Sequence, residues 1–127
     1  MMVHTRSQPG NIILIVEDDI GIGSLLTEVI KSETDYVSLW VTDTQSALEE
    51  AQAIQPVLFI LNYWLDHTNG LELYDQLHAL PGREDIPAIM ISANLPKKEL
   101  ERRNIIGLQK PFELNRLLAS IEDMLDV

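Results

Sequence analysis

The sequence predicts a three-layer, doubly wound α/β fold around a five-stranded parallel sheet in strand order 2-1-3-4-5. Two observations carry the prediction. Five short apolar runs alternate with stretches of helical period, the pattern of a parallel sheet covered on both faces. The chain has 127 residues and shows no internal repeat, so these elements share one core of ordinary domain size. Right-handed crossovers leave few topologies. The order 2-1-3-4-5 leads them, with ligands expected beyond the carboxyl ends of the first and third strands, where the order reverses.

The elements follow in order. Residues 1–10 are polar, carry Pro9 and Gly10, and lack the apolar segment of a signal peptide; they read as a flexible tail before a single domain over residues 11–127. The runs Ile12–Val16, Val57–Leu61 and Ala88–Ile91 are nearly continuous and rich in β-branched residues, as strands buried on both faces are. Tyr36–Val41 is mixed, as an edge strand would be, and Ile105–Leu108 is interrupted by Gly107. Ile22, Leu25, Leu26, Val29 and Ile30 form the first helical stripe. Ala47, Leu48, Ala51 and Ile54 form the second, ended by Pro56. Leu73, Leu77 and Leu80 form the third, stopped by Pro81-Gly82. Leu114, Leu117, Leu118, Ile121 and Leu125 form the last. Lys97–Arg103 is short and almost wholly charged. Its Lys97–Glu101 and Glu99–Arg103 spacings suit i,i+4 pairs, and with little to bury it is expected to be the most mobile element.

Composition narrows the function. There is no cysteine, which excludes a disulfide framework and thiolate metal sites. The formal net charge is −11, which argues against direct nucleic-acid binding and against docking on anionic lipid. No run approaches the roughly 20 apolar residues of a membrane span. Four of the nine basic residues, Lys97, Lys98, Arg102 and Arg103, share one segment. They form either a solvated helix or a basic patch for an acidic partner.

In this topology four strand ends converge on one rim. The first supplies Glu17, Asp18 and Asp19, the third Asn62, the fourth Ser92, and the fifth runs into Lys110 and Pro111. Adjacent carboxylates repel, and a cation or a proton relieves the cost. Oxygen donors without His or Cys suit a hard ion such as Mg²⁺. The plainer reading has Asp19 capping the first helix, with Glu17 and Asp18 as solvated loop acids, Ser92 as a turn residue and Lys110 as a surface lysine. Gly21 and Gly23 do not make a dinucleotide fingerprint, since Leu26 fills the third glycine slot. His67 carries no assigned role. Tyr63 and Trp64 either cover the rim or anchor a partner.

Taken together, Ile12–Asp19, Pro56–Asn62 with Gly70–Leu73, Ile86–Ala93, and Lys110-Pro111-Phe112 with Leu114 resemble the motifs of a response-regulator receiver domain. The resemblance runs from Asn11 to Val127, and the four motifs occur in the family's order. It implies a flavodoxin-like, receiver-type fold. It places Glu17 and Asp18 at the acidic Mg²⁺ pair, Asn62 at the phospho-acceptor position and the Trp64 backbone carbonyl as a further metal ligand. Ser92 falls at the phosphoryl-binding hydroxyl and Lys110 at the phosphoryl-pairing lysine, with a Lys110–Pro111 bond that is often cis.

The departures from that family pattern are as informative. Asn62 replaces an aspartate, and a carboxamide is no competent nucleophile. The change also removes an anion from the cation site. A unit charge pair at 4 Å is worth roughly 1 kcal/mol in water and about 4 at an effective dielectric of 20, so any Mg²⁺ binding is expected to be weakened, with the Asn62 oxygen still able to serve as a metal ligand beside Glu17, Asp18 and the Trp64 carbonyl. Gly107 stands where the family often carries a switching Tyr or Phe. The interval from Ser92 to Lys110 is about one helical turn short, roughly four residues, which predicts a shortened fourth helix. Asp66 stands where proline is usual.

The resulting expectation is a stand-alone, atypical receiver, not an enzyme. It would act in the cytoplasm by protein–protein interaction in a two-component-type system, without phosphorylation at Asn62. Its partners would be a histidine kinase or a downstream signalling protein, with a homodimer as a further option. No organic cofactor is expected. The alternative is a phosphorylatable regulator that accepts phosphate at another residue such as Asp66. A hydrolase built on Asp66, Glu17 and Asp18 has no supporting motif.

Overall fold

The computed structural model describes residues 11–125; the expected tail over residues 1–10 lies outside them. Strands β1 (Ile12–Val16), β2 (Val37–Val41) and β3 (Leu58–Asn62) alternate with helices α1 (Ile20–Glu33) and α2 (Thr44–Ala53). A hairpin of two-residue strands follows, β4 (Trp64–Leu65) and β5 (Thr68–Asn69), then α3 (Gly70–His78) and β6 (Ala88–Ser92). The described chain ends with α4 (Lys97–Arg103), β7 (Ile106–Gln109) and α5 (Leu114–Leu125). The main sheet is parallel in the order β2-β1-β3-β6-β7, which is the predicted 2-1-3-4-5 once the hairpin is set aside.

The pleat explains the layers. Successive strand residues face opposite sides, so Leu14 and Val16 of β1, Phe59 and Leu61 of β3, and Met90 of β6 join Ala47, Ala51, Leu73, Leu77 and Leu100 on one face. Ile13, Ile15, Leu58, Ile60, Ile89 and Ile91 join Leu26, Val29, Ile30, Leu117 and Ile121 on the other. Every residue of β1, β3 and β6 is buried, whereas β2 is half-buried throughout, as its edge position requires.

Helix starts follow their caps. Asp19 accepts from the Ile22 N–H at 3.0 Å, Asp43 from Ser46 at 2.7 Å and Asn69 from Glu72 at 3.0 Å. Each satisfies an N-terminal donor that the helix itself leaves unpaired.

Three expectations need correction. Leu25 and Leu114 lie on apolar stripes but are exposed, because each stripe is wider than the sheet surface it covers. The hairpin β4–β5 adds between β3 and α3 an element absent from the predicted order. The charged α4 buries Leu100 against the core and is tied down by Arg103, whose guanidinium meets both Asp75 oxygens at 3.0 Å and Glu99 Oε1 at 2.8 Å. The Glu99–Arg103 pair forms, but among the described residues Lys97 and Glu101 make no ion pair. No helix of the described residues is long and apolar enough to cross a membrane.

Candidate functional site

Strand register delivers the site residues to one rim. Val16 pairs with Leu61, Asn62 with Ile91 and Ser92 with Gln109. Glu17, Asn62, Ser92 and Lys110 therefore emerge at the same end of the sheet. Backbone bonds fix these strand ends: Glu17 N–H to Val41 O at 3.1 Å, Tyr63 N–H to Ile91 O at 2.9 Å, and Lys110 N–H to Ser92 O at 2.8 Å.

Asn62 is the centre of the arrangement. It is buried, and its Nδ2 donates to Glu17 Oε2 at 3.0 Å and to the Trp64 carbonyl at 2.8 Å, with Asp18 Oδ1 at 3.5 Å. All three neighbours are acceptors. The reverse amide orientation would set Asn62 Oδ1 against three oxygens, so the chemistry of the surroundings fixes the nitrogen there. Asn62 Oδ1 and Glu17 Oε1 are buried and make no hydrogen bond to the described residues.

Glu17 is 1% exposed. Burial pushes its carboxyl above the usual carboxylate range. The Asp19 N–H, which donates to Glu17 Oε2 at 3.0 Å, and the Lys110 charge pull the other way, while Asp18 and Asp19 push it up.

Trp40, which sequence reasoning passed over, and Gly23, which it weighed only as part of a glycine motif, support this corner. Trp40 of β2 donates through Nε1 to the Glu17 carbonyl at 2.8 Å. Gly23 of α1 makes room for it, since a Cβ there would lie 2.1 Å from the Trp40 ring. The G-x-G at Gly21 and Gly23 was the available signal, but it marks helix–ring packing. Gly70 has a similar role beneath the loop. Its N–H donates to Tyr63 O at 2.7 Å, and a Cβ would meet Asn62 O at 2.8 Å.

Ser92 and Lys110 lie at the rim and form no hydrogen bond with the Asn62 side chain. The Ser92 hydroxyl is buried and turned onto Asn94, accepting its N–H at 3.1 Å and reaching its carbonyl at 3.3 Å. Lys110 precedes a cis bond to Pro111, and among the described residues it forms no ion pair within 4.0 Å. Asp66 sits exposed at the hairpin turn, beside His67 at φ 66°. The space beside Gly107 is filled by Leu95 and Leu100, whose methyls would stand 2.9 and 2.8 Å from a Cβ there. Trp64 projects from the rim, 64% exposed, with its ring edge-on to Tyr63 at 4.9 Å.

A magnesium ion demands oxygen ligands in near-octahedral array. Here the point on which Glu17 Oε2, Asp18 Oδ1 and the Trp64 carbonyl converge holds a hydrogen-bond donor, the Asn62 amide nitrogen. As arranged, these residues do not fit that ion. No group of three or more His, Cys, Asp or Glu among the described residues is placed to hold a metal.

Known proteins share both sequence and fold with this chain. It is 32% identical over 121 residues to the uncharacterized transcriptional regulatory protein YbdJ of Bacillus subtilis, covering 90% of this chain and 50% of that protein. It is 28% identical over 117 residues to the phosphate regulon transcriptional regulatory protein PhoB of Rhizobium meliloti, covering 89% and 51%. The chain thus spans about half the length of the curated relatives it matches. The receiver domain of NtrX from Brucella abortus superposes with a TM-score of 0.80 at 27% identity, over 91% of this chain and 98% of that one. The chemotaxis response regulator CheY4 of Vibrio cholerae superposes at 0.81 with 22% identity, over 90% and 98%, a likeness of fold. The model of the response regulator receiver domain matches residues 13–122, and the chain belongs to that family.

Proposed function

We propose that this chain is an atypical receiver module that signals by protein–protein contact and takes no phosphoryl group at Asn62. One observation carries the reading: the side chain that ends β3 is a carboxamide whose nitrogen is engaged by Glu17 and the Trp64 carbonyl. Attack on phosphorus needs an electron pair on an accessible oxygen or nitrogen. The amide nitrogen pair is delocalised and its hydrogens are donated. The amide oxygen is neutral, so it cannot leave the reaction as a stable acyl phosphate. Ser92 and Lys110 stand at the phosphoryl-contact positions of the family but have no anion to hold. The module would work in the cytoplasm with a histidine kinase or a downstream signalling protein, and a homodimer is a further arrangement. Its net charge of −11 supports protein over nucleic acid as the direct partner. The names of several longer relatives describe DNA-binding response regulators, and that activity is theirs.

The test is exposure to acetyl phosphate with Mg²⁺, read by intact mass. An unmodified mass is expected, together with labelling of Asn62→Asp. An adduct of one phosphoryl group on the unsubstituted chain would overturn the reading. Mapping it to Asp66, the exposed carboxylate nearest in sequence, would establish the alternative acceptor.

A further inference from the structure

The amide nitrogen of Asn62 does more than fail as a nucleophile. Three oxygens from two places in the chain converge on it: Glu17 Oε2 at 3.0 Å and Asp18 Oδ1 at 3.5 Å just after β1, and the Trp64 carbonyl from the hairpin at 2.8 Å. Such a convergence of two carboxylates and a carbonyl is ordinarily relieved by a positive charge. Here two N–H groups supply the positive ends.

We infer that the Asn62 amide nitrogen stands in for a divalent cation, so that this rim is assembled, and Trp64 presented, without any metal. The inference rests on the reading of Asn62 as a residue that accepts no phosphate, and extends it from chemistry to ion dependence. A cation can enter only by displacing the bonds at 2.8 and 3.0 Å and rotating the carboxamide to offer Oδ1. That rotation carries Nδ2 to the buried place where Oδ1 now receives no hydrogen bond from the described residues. Entry of the ion therefore costs the amide its bonds to Glu17 and the Trp64 carbonyl, and the ion meets one anion fewer than an aspartate would provide. The same nitrogen joins β3 to the hairpin, so the loop bearing the exposed Trp64 is fixed by a side chain of the protein itself.

The test compares the unsubstituted protein with Asn62→Asp during Mg²⁺ titration. Two readouts serve: tryptophan fluorescence, and the side-chain ¹H–¹⁵N pair of Asn62 by NMR. Asn62→Asp is expected to bind Mg²⁺ saturably. The unsubstituted chain is expected to bind at least tenfold more weakly, a difference of about 1.4 kcal/mol, with its Asn62 amide protons slow to exchange and unmoved by Mg²⁺. Binding within tenfold of the variant overturns the inference. Mg²⁺-dependent shifts of the Asn62 amide protons do so as well, and need no variant to fold. Absence of binding by Asn62→Asp also overturns it, because the amide would then not be what excludes the ion. The phosphodonor result is independent. A phosphoryl adduct without Mg²⁺-induced amide shifts removes the proposed function alone, and Mg²⁺ binding without an adduct removes this inference alone.

Discussion

Arg83 lies in the connection between α3 and β6, yet it closes the end of α2. The last carbonyls of a helix lack intrahelical partners and carry the negative end of its dipole, and α2 has no basic residue in its own last turn. Arg83 Nε donates to Ala51 O at 2.7 Å, and its Nη2 reaches Ile54 O at 2.9 Å and Gln52 O at 3.2 Å, while Nη1 turns back to Pro81 O at 3.1 Å. The bonds to Ala51 and Ile54 are partly buried and the other two are exposed. At about 1 kcal/mol for each partly buried bond and a few tenths for each exposed one, with about 0.5 kcal/mol for a cation at a helix C-terminus, Arg83→Ala should cost about 2–3 kcal/mol. For a domain of this size that lowers Tm by about 6–12 °C. Urea denaturation followed by far-UV circular dichroism measures it, with the midpoint falling and the slope m unchanged. Arg83→Lys keeps the charge without the planar fork and should lose about half as much. A loss below about 0.5 kcal/mol for Arg83→Ala would refute the argument, as would a lysine variant equal to the original.

Three other outcomes follow from the same geometry. Gly23→Ala should expel the Trp40 ring and break its bond to the Glu17 carbonyl, destabilising by about 1–3 kcal/mol despite the better helix former; a red-shifted Trp40 emission reports the displacement. Gly107→Tyr should cost about 1–3 kcal/mol by overpacking, since Leu95 and Leu100 already fill the space, and thermal melting measures it. The third outcome concerns pH. The hydrogen bond from Arg103 holds the Asp75 carboxyl below its ordinary value; burial opposes it, and the Arg103 and His78 charges add to the lowering. A lowered folded value means the contribution is present above the unfolded pKa and lost as pH falls through the folded one. The Tm gap between the unsubstituted chain and Arg103→Met should therefore shrink as pH drops below about 4; a gap that stays constant into strong acid contradicts the ion pair.

The sequence made the sheet legible because β1, β3 and β6 are buried on both faces and their apolar runs are continuous. It made Asp19 legible as a cap because capping is decided within three residues. What it could not show depends on partners distant along the chain. Arg103 reads as one charge in a basic run until α3 brings Asp75 beside it, and Arg83 reads as a loop residue until α2 ends against it. The hairpin β4–β5 is too short for any period to register. At the rim, the identity of Asn62 was plain, but the direction of its amide was not. That direction is set by the two carboxylates that follow β1 and a carbonyl two residues on, and only folding puts all three oxygens around one nitrogen.

Where a side chain of the protein itself occupies the centre of a site, a ligand gains differential affinity there only by breaking that side chain's bonds, and without differential affinity an equilibrium cannot be shifted. For the rim built on Asn62, occupancy then carries no message. On the proposed reading of Asn62, a signal would have to enter the module at a surface other than this rim.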